Sequence, residues 1–462
     1  MLKLSDTAVC LKGHHTGHDV EFTTVGSDSR TIVPGMLFVA LKGDKFDGHD
    51  YVQSGLDQGA AAALVCHAFA DANPTLPLVA VTDTRIALGQ LAAHWRSRFH
   101  YPLLGITGSN GKTTVKEMCA AILRADFGQN AVLATSGNLN NDIGLPLTLL
   151  KLRSTHHAAV IEMGMNHPGE IAYLTDIAKP TVALVNNAQR AHLAGLGSLT
   201  EVARAKGEIF AGLAREGVAV INADDAHASL WRELATGQHI LSFGFSAAAD
   251  VRGEWQASHV NEGYGGQLTL TTPQGNAVLH LPIPGVHNAR NALAAAAACL
   301  AAGIPFAPIV RGLEHFTSVK GRLQRKAGLH GATVIDDSYN ANPDSMRAAI
   351  DVLATLPGRR IFVMGDMGEV GETAGQLHSE IGGYAKSQGI DGLLAIGEMS
   401  IAAVHDFDGG GQHFGGVEAL VKALKPQMDK ETTVLVKGSR FMRMERVVDQ
   451  IIEAIVEHHH AA

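Results

Sequence analysis

The sequence predicts an α/β protein of three domains, and three observations carry that expectation. Short apolar runs fit for buried strands recur along the chain, and stretches of helical periodicity follow them. The length, 462 residues, suits about three domains of roughly 150 residues each. Hydrophobic residues make up 46% and charged residues 18%, so core material is ample and global disorder is disfavoured.

Residues 1–82 hold β-like runs at 36–40, 61–65 and 78–81 between Gly/Asp-rich turns, which reads as a small α/β domain. From 83 to 314 the pattern becomes strand–helix alternation. Runs at 103–107, 158–162, 181–185 and 218–221 suit buried parallel strands, and helices are expected at 113–125 and 200–216. The polar, glycine-rich interval 253–275 is expected to form hairpins inside this central domain. A third α/β segment of Rossmann type spans 315–462, with strands expected at 333–336, 360–364, 393–396 and 433–436. It closes on a helix whose stripe Phe441, Met444, Val448, Ile451 and Ile455 should face the core.

Bulk properties remove several functions. A net charge of −8 argues against a nucleic-acid partner, which usually meets a basic face. The four cysteines, Cys10, Cys66, Cys119 and Cys299, lack C-x-x-C spacing, so no zinc ribbon is implied and a reducing cytoplasm fits. The N-terminus lacks the apolar core of a signal peptide, and the longest apolar run, 292–303, is too short to span a bilayer. A soluble cytoplasmic chain without membrane insertion is expected. The tail His458-His459-His460 reads as a solvated end, not a metal site.

The most specific motif lies at 103–118, LLGITGSNGKTTVKEM, between an apolar run and a helical pattern. Glycines such as Gly108 and Gly111 let a backbone curl so that several N–H groups point at one anion, and Ser109 and Asn110 between them are expected to border the phosphates. The helix that follows adds its positive end. Lys112 supplies a point charge to the β- and γ-phosphates, and the Thr113 hydroxyl, beside Thr114, suits Mg²⁺. This is an ATP phosphate loop, so the central domain is expected to carry a P-loop-type, mostly parallel sheet flanked by helices. Its first glycine, Gly105, stands one place early for the common G-x-x-x-x-G-K-[ST] pattern. Magnesium needs further hard oxygen ligands. Glu162, at the C-terminal end of an apolar run, is the best placed, because ligands of parallel sheets gather beyond that end. His192 also follows a strand, and a metal or polar ligand lies within its reach.

With these residues stand further motifs, in order: NLNNDIGLP (138–146), EMGM (162–165), AHLAGLGS (191–198), AKGEIF (205–210), GVHNARNALAA (285–295), KGR (320–322), DDSYNANPDSM (336–346), MGDMGE (364–369) and LVKGSR (435–440). Together with TGSNGKT they resemble the Mur ligase family, ATP-dependent amide-forming enzymes of peptidoglycan precursor synthesis, and the family's own loop accounts for the shifted glycine. The resemblance implies that Lys112 and Thr113 bind ATP phosphates and Mg²⁺, with Glu162 and His192 as metal ligands. It implies a carbamylated lysine at Lys206, whose carbamate offers an anionic oxygen where an ammonium would repel the metal. Asn288 and Asn291 would lie on the adenine side, Arg322 at the γ-phosphate and Asp337 on the ribose. ATP would then sit between domains, and closure would complete the site.

Within the family, Ser27-Asp28-Ser29-Arg30 and PGMLFVALKGDKFDGHDYV (34–52) resemble the nucleotide-sugar domain of the ligases that add the third amino acid and the terminal dipeptide. Ser29 and Arg30 are expected to meet the UDP-sugar, and the polar cluster holding Asn140 and Asn141 to line the substrate side. No D-N-P-R motif of the diaminopimelate-adding enzyme is found; Tyr339-Asn340-Ala341-Asn342-Pro343 resembles the dipeptide-adding member instead. Asn340 and Asn342 are therefore expected near an incoming D-alanyl-D-alanine. The other substrate would be UDP-N-acetylmuramoyl-tripeptide, and the chain is expected to act as a monomer. Rivals are a ligase adding the third amino acid, a folylpolyglutamate synthetase-like enzyme, a P-loop small-molecule kinase and a non-enzymatic nucleotide switch.

Overall fold

The computed structural model describes residues 1–191, 193–214, 216–257 and 264–453. Ile455, the tail histidines and His192 lie outside them. The α/β expectation holds: three mostly parallel sheets follow one another along the chain. The first has five strands, ordered His14–Thr16, Leu78–Val81, Ala62–Cys66, Met36–Val39, Thr24–Gly26, with only the first antiparallel to its neighbour.

The central sheet has nine strands, and Leu103–Thr107 lies inside it between Ala158–Glu162 and Val182–Val185. Each of these three strands is buried along its length, as their unbroken apolar runs require. They are parallel, with Glu162 in register with Ile106 and Val185 with Thr107. The phosphate loop, Glu162 and the segment after Val185 therefore leave the sheet at one edge. The expected hairpins appear as the antiparallel strands Val251–Ala257, Gly266–Thr272 and Gly275–Leu281 at the sheet's far end. The alanine-rich run forms the buried helix Val286–Ala301, packed on the loop's helix Lys112–Phe127. In the C-terminal sheet, Thr333–Asp337 and Thr432–Lys437 are parallel neighbours that bring Asp337 into register with Lys437.

Two helices differ from expectation. The helix expected at 200–216 runs only over Leu199–Gly207 and tightens into a 3₁₀ turn, Glu208–Gly212. The change of path lets the Glu208 carboxylate accept from the N–H groups of Gly169 and Ala172, capping the helix Glu170–Ala178. Gly212 meanwhile lies so close to Thr175 that a Cβ would stand 2.1 Å from its Oγ1. The closing helix begins at Glu445, not at Phe441, because Arg443 takes a left-handed conformation at φ 50°. Phe441 is consequently 64% exposed, and Val447 joins Met444, Val448 and Ile451 in the buried stripe. Among the described residues no helix is long and apolar enough to cross a membrane.

One core cluster runs without a break from Leu2 to Ala235, joining the N-terminal sheet to one face of the central sheet through the helix Thr84–Arg96. Among the described residues no such cluster crosses to the C-terminal unit, whose own cores begin at Leu323.

Candidate active site

The loop's two left-handed or extended glycines are forced by their neighbours. At Gly111, φ 79°, a Cβ would stand 2.4 Å from Asn291 Oδ1 and 2.6 Å from Asn186 Nδ2; at Gly108 it would stand 2.9 Å from Asn186 Cβ. Asn186, Asn187 and Gln189 form a strap along the loop. Ser109 N–H donates to Asn187 O (3.0 Å), Asn110 N–H to Asn187 Oδ1 (2.8 Å) and Asn110 Nδ2 to Gln189 Oε1 (2.6 Å). Asn186 Nδ2 in turn donates to Asn110 O and to Asn291 Oδ1, both at 2.9 Å. Lys112 Nζ folds back onto Gly108 O (2.8 Å) and Ser109 O (3.3 Å). Burial holds its amine below the usual lysine range; Glu162 opposes that shift and Arg322 adds to it.

Glu162 is 2% exposed. One carboxylate oxygen accepts from Asn140 Nδ2 at 2.8 Å, while the other, Oε2, is buried without a partner among the described residues. An unsatisfied buried carboxylate oxygen calls for a cation or proton donor. Lys206 is 1% exposed and its side-chain amine has no hydrogen bond or ion pair among the described residues; burial, helped by the Lys112 charge, pushes that amine well below the usual range. Among the described residues no three His, Cys, Asp or Glu side chains cluster to hold a metal; of the expected set, Thr113, Glu162 and Lys206 lie within those residues and His192 outside them.

The C-terminal unit roofs the loop. Arg322 Nη2 donates to Thr113 Oγ1 at 3.1 Å across 209 residues, and its guanidinium stacks 4.4 Å from the Tyr339 ring centre. Its Nε is buried without a partner among the described residues. Asn342 Nδ2 donates to Asn110 Oδ1 (2.8 Å) and Asn110 Nδ2 returns a bond to Asn342 Oδ1 (3.2 Å), across 232 residues. The same Asn342 caps the helix Pro343–Ala354 by accepting from Ser345 N–H. Asp337 binds Lys437 at 2.6 Å and accepts from Leu323 N–H at 3.1 Å; burial raises its carboxyl while Lys437 opposes the shift.

Two clefts meet at the loop. The first is walled by Asn110, Gly111, Asn288, Asn291, Arg322, Asp337 and Lys437, as a nucleoside slot would be. Asn288 Nδ2 is engaged with Pro284 O at 2.7 Å, and Asn291 with Asn288 and Asn186, so both brace this wall from inside. The second cleft, about 1030 Å³, runs from Lys112, Thr113 and Glu162 past Asn140, Asn141 and Arg85 to Tyr339, Asn340, Asn342 and Arg440. Asn141 Oδ1 also accepts from Gly144 N–H at 2.8 Å, where the short helix Gly144–Leu149 begins. Ser29 and Arg30 line neither cleft: Arg30 is 86% exposed and paired with Asp28 at 2.7 Å. Sequence reading did not single out Lys437, Tyr339, Gln189 or Arg190 as site residues. For Lys437 the available signal was the motif LVKGSR (435–440), which sets it at the end of an apolar run.

A phosphate loop facing an orphaned carboxylate, roofed by a second α/β unit, defines an ATP-using enzyme that works at a seam between domains. Three family models match: the catalytic domain of the Mur ligase family over 21–96, the Mur ligase middle domain over 106–299 and the Mur ligase glutamate ligase domain over 321–440. The chain belongs to the Mur ligase family. It is 43% identical over 453 residues to the UDP-N-acetylmuramoyl-tripeptide–D-alanyl-D-alanine ligase of Escherichia coli K12, covering 97% of this chain and 98% of that one. MurF from Acinetobacter baumannii superposes with TM-score 0.88 at 35% identity, over 96% of this chain and 97% of that one. MurF ligase from Thermotoga maritima, solved in complex with ADP, gives 0.80 at 26%, over 92% and 96%.

Proposed function

We propose that this chain is an ATP-dependent amide ligase joining D-alanyl-D-alanine to UDP-N-acetylmuramoyl-tripeptide. The observation that carries the reading is the shared cleft, which has Lys112, Thr113 and Glu162 on one wall and Tyr339, Asn340 and Arg440 on the other. Phosphate and peptide chemistry thus share one space. The E. coli relative's name, at 43% identity over nearly all of both chains, supports the choice of substrates.

A carboxylate is a poor acyl donor. The terminal carboxylate oxygen of the tripeptide attacks the γ-phosphate, giving an acyl phosphate and ADP. The dipeptide amine then attacks the acyl carbon and phosphate leaves. Lys112 swings from the carbonyls of Gly108 and Ser109 to the phosphates and, with Arg322, neutralises the charge that spreads during transfer. Thr113, Glu162 and a carbamylated Lys206 would hold Mg²⁺, with His192 as a further ligand. The metal supplies charge neutralisation at the phosphates, and the orphaned Glu162 Oε2 fits that role. Burial favours the neutral Lys206 amine, the form that attacks carbon dioxide to give a carbamate.

Asn288, Asn291, Asp337 and Lys437 take the nucleoside, and Asn140, Asn141, Asn340 and Asn342 border the peptide. Ser29 and Arg30 stay with the UDP-sugar. Residues 1–82, 83–314 and 315–462 divide the work as UDP-sugar domain, ATP domain and closing domain, in a monomer working where ATP is made, in the cytoplasm. One assay tests the reading: phosphate release with UDP-muramoyl-tripeptide, with and without D-alanyl-D-alanine. Release that requires the dipeptide is expected. Release independent of any amine would indicate a kinase, negligible turnover a switch, and preference for a single third amino acid a different member of the family.

A further inference from the structure

We infer that Arg190 is a positioning residue, an ionic latch that holds the C-terminal unit against the phosphate loop and so sets how well the nucleotide is bound. The inference rests on the reading that Arg322, Asp337 and Lys437 complete the ATP site. Arg190 directly continues the strap Asn186–Gln189, whose atoms bond the loop at Ser109 and Asn110. Its Nε and Nη2 donate to Asp344 Oδ1 at 3.0 and 2.7 Å, its backbone N–H to Asp344 Oδ2 at 2.8 Å. Nη1 and Nη2 then reach Glu380 Oε2 and Oε1 at 2.8 and 3.0 Å. Arg347 closes the cluster on Glu380 Oε1 at 2.9 Å.

Both Arg190 partners, Asp344 and Glu380, lie across the seam, which no core cluster spans among the described residues. Asp344 sits in the first turn of the helix Pro343–Ala354, two residues after Asn342, the residue that clasps Asn110. Loop, strap, Arg190, Asp344 and Asn342 therefore form a closed ring of contacts, and the ring fixes the roof that carries Arg322 over Thr113. The three side chains are only part-exposed, 29% for Arg190, 23% for Asp344 and 31% for Glu380. A planar guanidinium bridging two carboxylates gives a defined geometry that a single lysine charge would not. Ionic contacts at that depth also weaken as salt rises.

The test uses the full-length chain with Arg190→Gln, Arg190→Lys, Glu380→Gln and the Arg190→Gln/Glu380→Gln double variant. Arg190→Gln should raise KM for ATP by about tenfold, with a smaller change in kcat, and Arg190→Lys should restore only part of it. KM for ATP in the wild type should climb with sodium chloride more steeply than in Arg190→Gln. The double variant should be little worse than the worse single one, because both break the same contact. Small-angle scattering should give a larger radius of gyration for the nucleotide-free variants. If Arg190→Gln does not fold, Glu380→Gln, altered on a surface helix, carries the same comparison. An unchanged KM for ATP with an unchanged radius, or fully additive single effects, would overturn the latch. A wild type that makes no amide would instead sink the ligase reading, and the scattering comparison would still judge the latch.

Discussion

Replacing Glu162 by Gln separates metal binding from folding. Glutamine keeps an oxygen to accept from Asn140 Nδ2, the 2.8 Å bond already present, and loses the charge behind the partnerless Oε2. An unmet buried polar atom costs about 1–3 kcal/mol, and the wild type already carries one here, so the metal-free variant should lose no more than about 1 kcal/mol. Changes one shell out from a metal typically cost 10–100-fold in affinity, so removing a direct oxygen ligand should raise half-saturating magnesium by at least about tenfold. Turnover should fall by about a hundredfold or more. The assay is phosphate release against a magnesium series, with thermal melts in chelator and in magnesium with ADP. The melt without metal should barely move, while the stabilisation by magnesium nucleotide should shrink by about 1.4 kcal/mol for each tenfold lost. A variant with wild-type turnover and an unchanged magnesium midpoint would refute the assignment. One that simply unfolds would show that the carboxylate is structural.

Three more outcomes follow from the same geometry. Lys206→Ala should lose nearly all turnover, and the wild type should give a carbamate carbon-13 signal with labelled bicarbonate; full activity of the alanine variant at ambient carbon dioxide would count heavily against the modification. His287, part-buried near Lys437 and Arg290, is pushed down to about 4 by desolvation and by those two charges, so the unfolded chain binds more protons between that value and the ordinary one. Its contribution is fully present above about pH 6.5 and lost as pH falls toward about 4, by up to roughly 3 kcal/mol, so urea midpoints for His287→Gln should depend less on pH in that window. Asn342→Ala removes both a helix cap and the clasp on Asn110, and should lower stability by about 1–2 kcal/mol and raise KM for ATP together. A fall in stability with an unchanged KM would reduce the residue to its cap.

What the sequence disclosed was local. The loop at 103–118 was legible because glycine spacing, a strand before and a helix after are contiguous, and Glu162 because strand ends in a parallel sheet share one edge. The helix after Ser198 was read too long because its periodicity continues past Gly207, while the reason for the turn, Glu208 capping another helix, lies 36–39 residues away. Phe441 was placed in the core because its spacing fits the stripe; the left-handed Arg443 that breaks the helix has no sequence signature. The seam was the least visible part. Asn110 with Asn342 and Arg190 with Glu380 join residues 232 and 190 apart, and polar side chains carry no periodicity that would pair them.

The difference between the two junctions of the chain has a kinetic meaning. The N-terminal and central sheets share one oily interior, whereas the C-terminal unit is tied on by amides, guanidinium groups and carboxylates. Bonds of that kind are exchanged for water at little net free energy, so under the proposed function the seam would part and re-form in each turnover and let ADP out. The same junction should be the first to yield to protease or heat, and the C-terminal unit should melt as a separate step. A catalytic cycle that needs its roof lifted each time has its weakest joint where the product must leave.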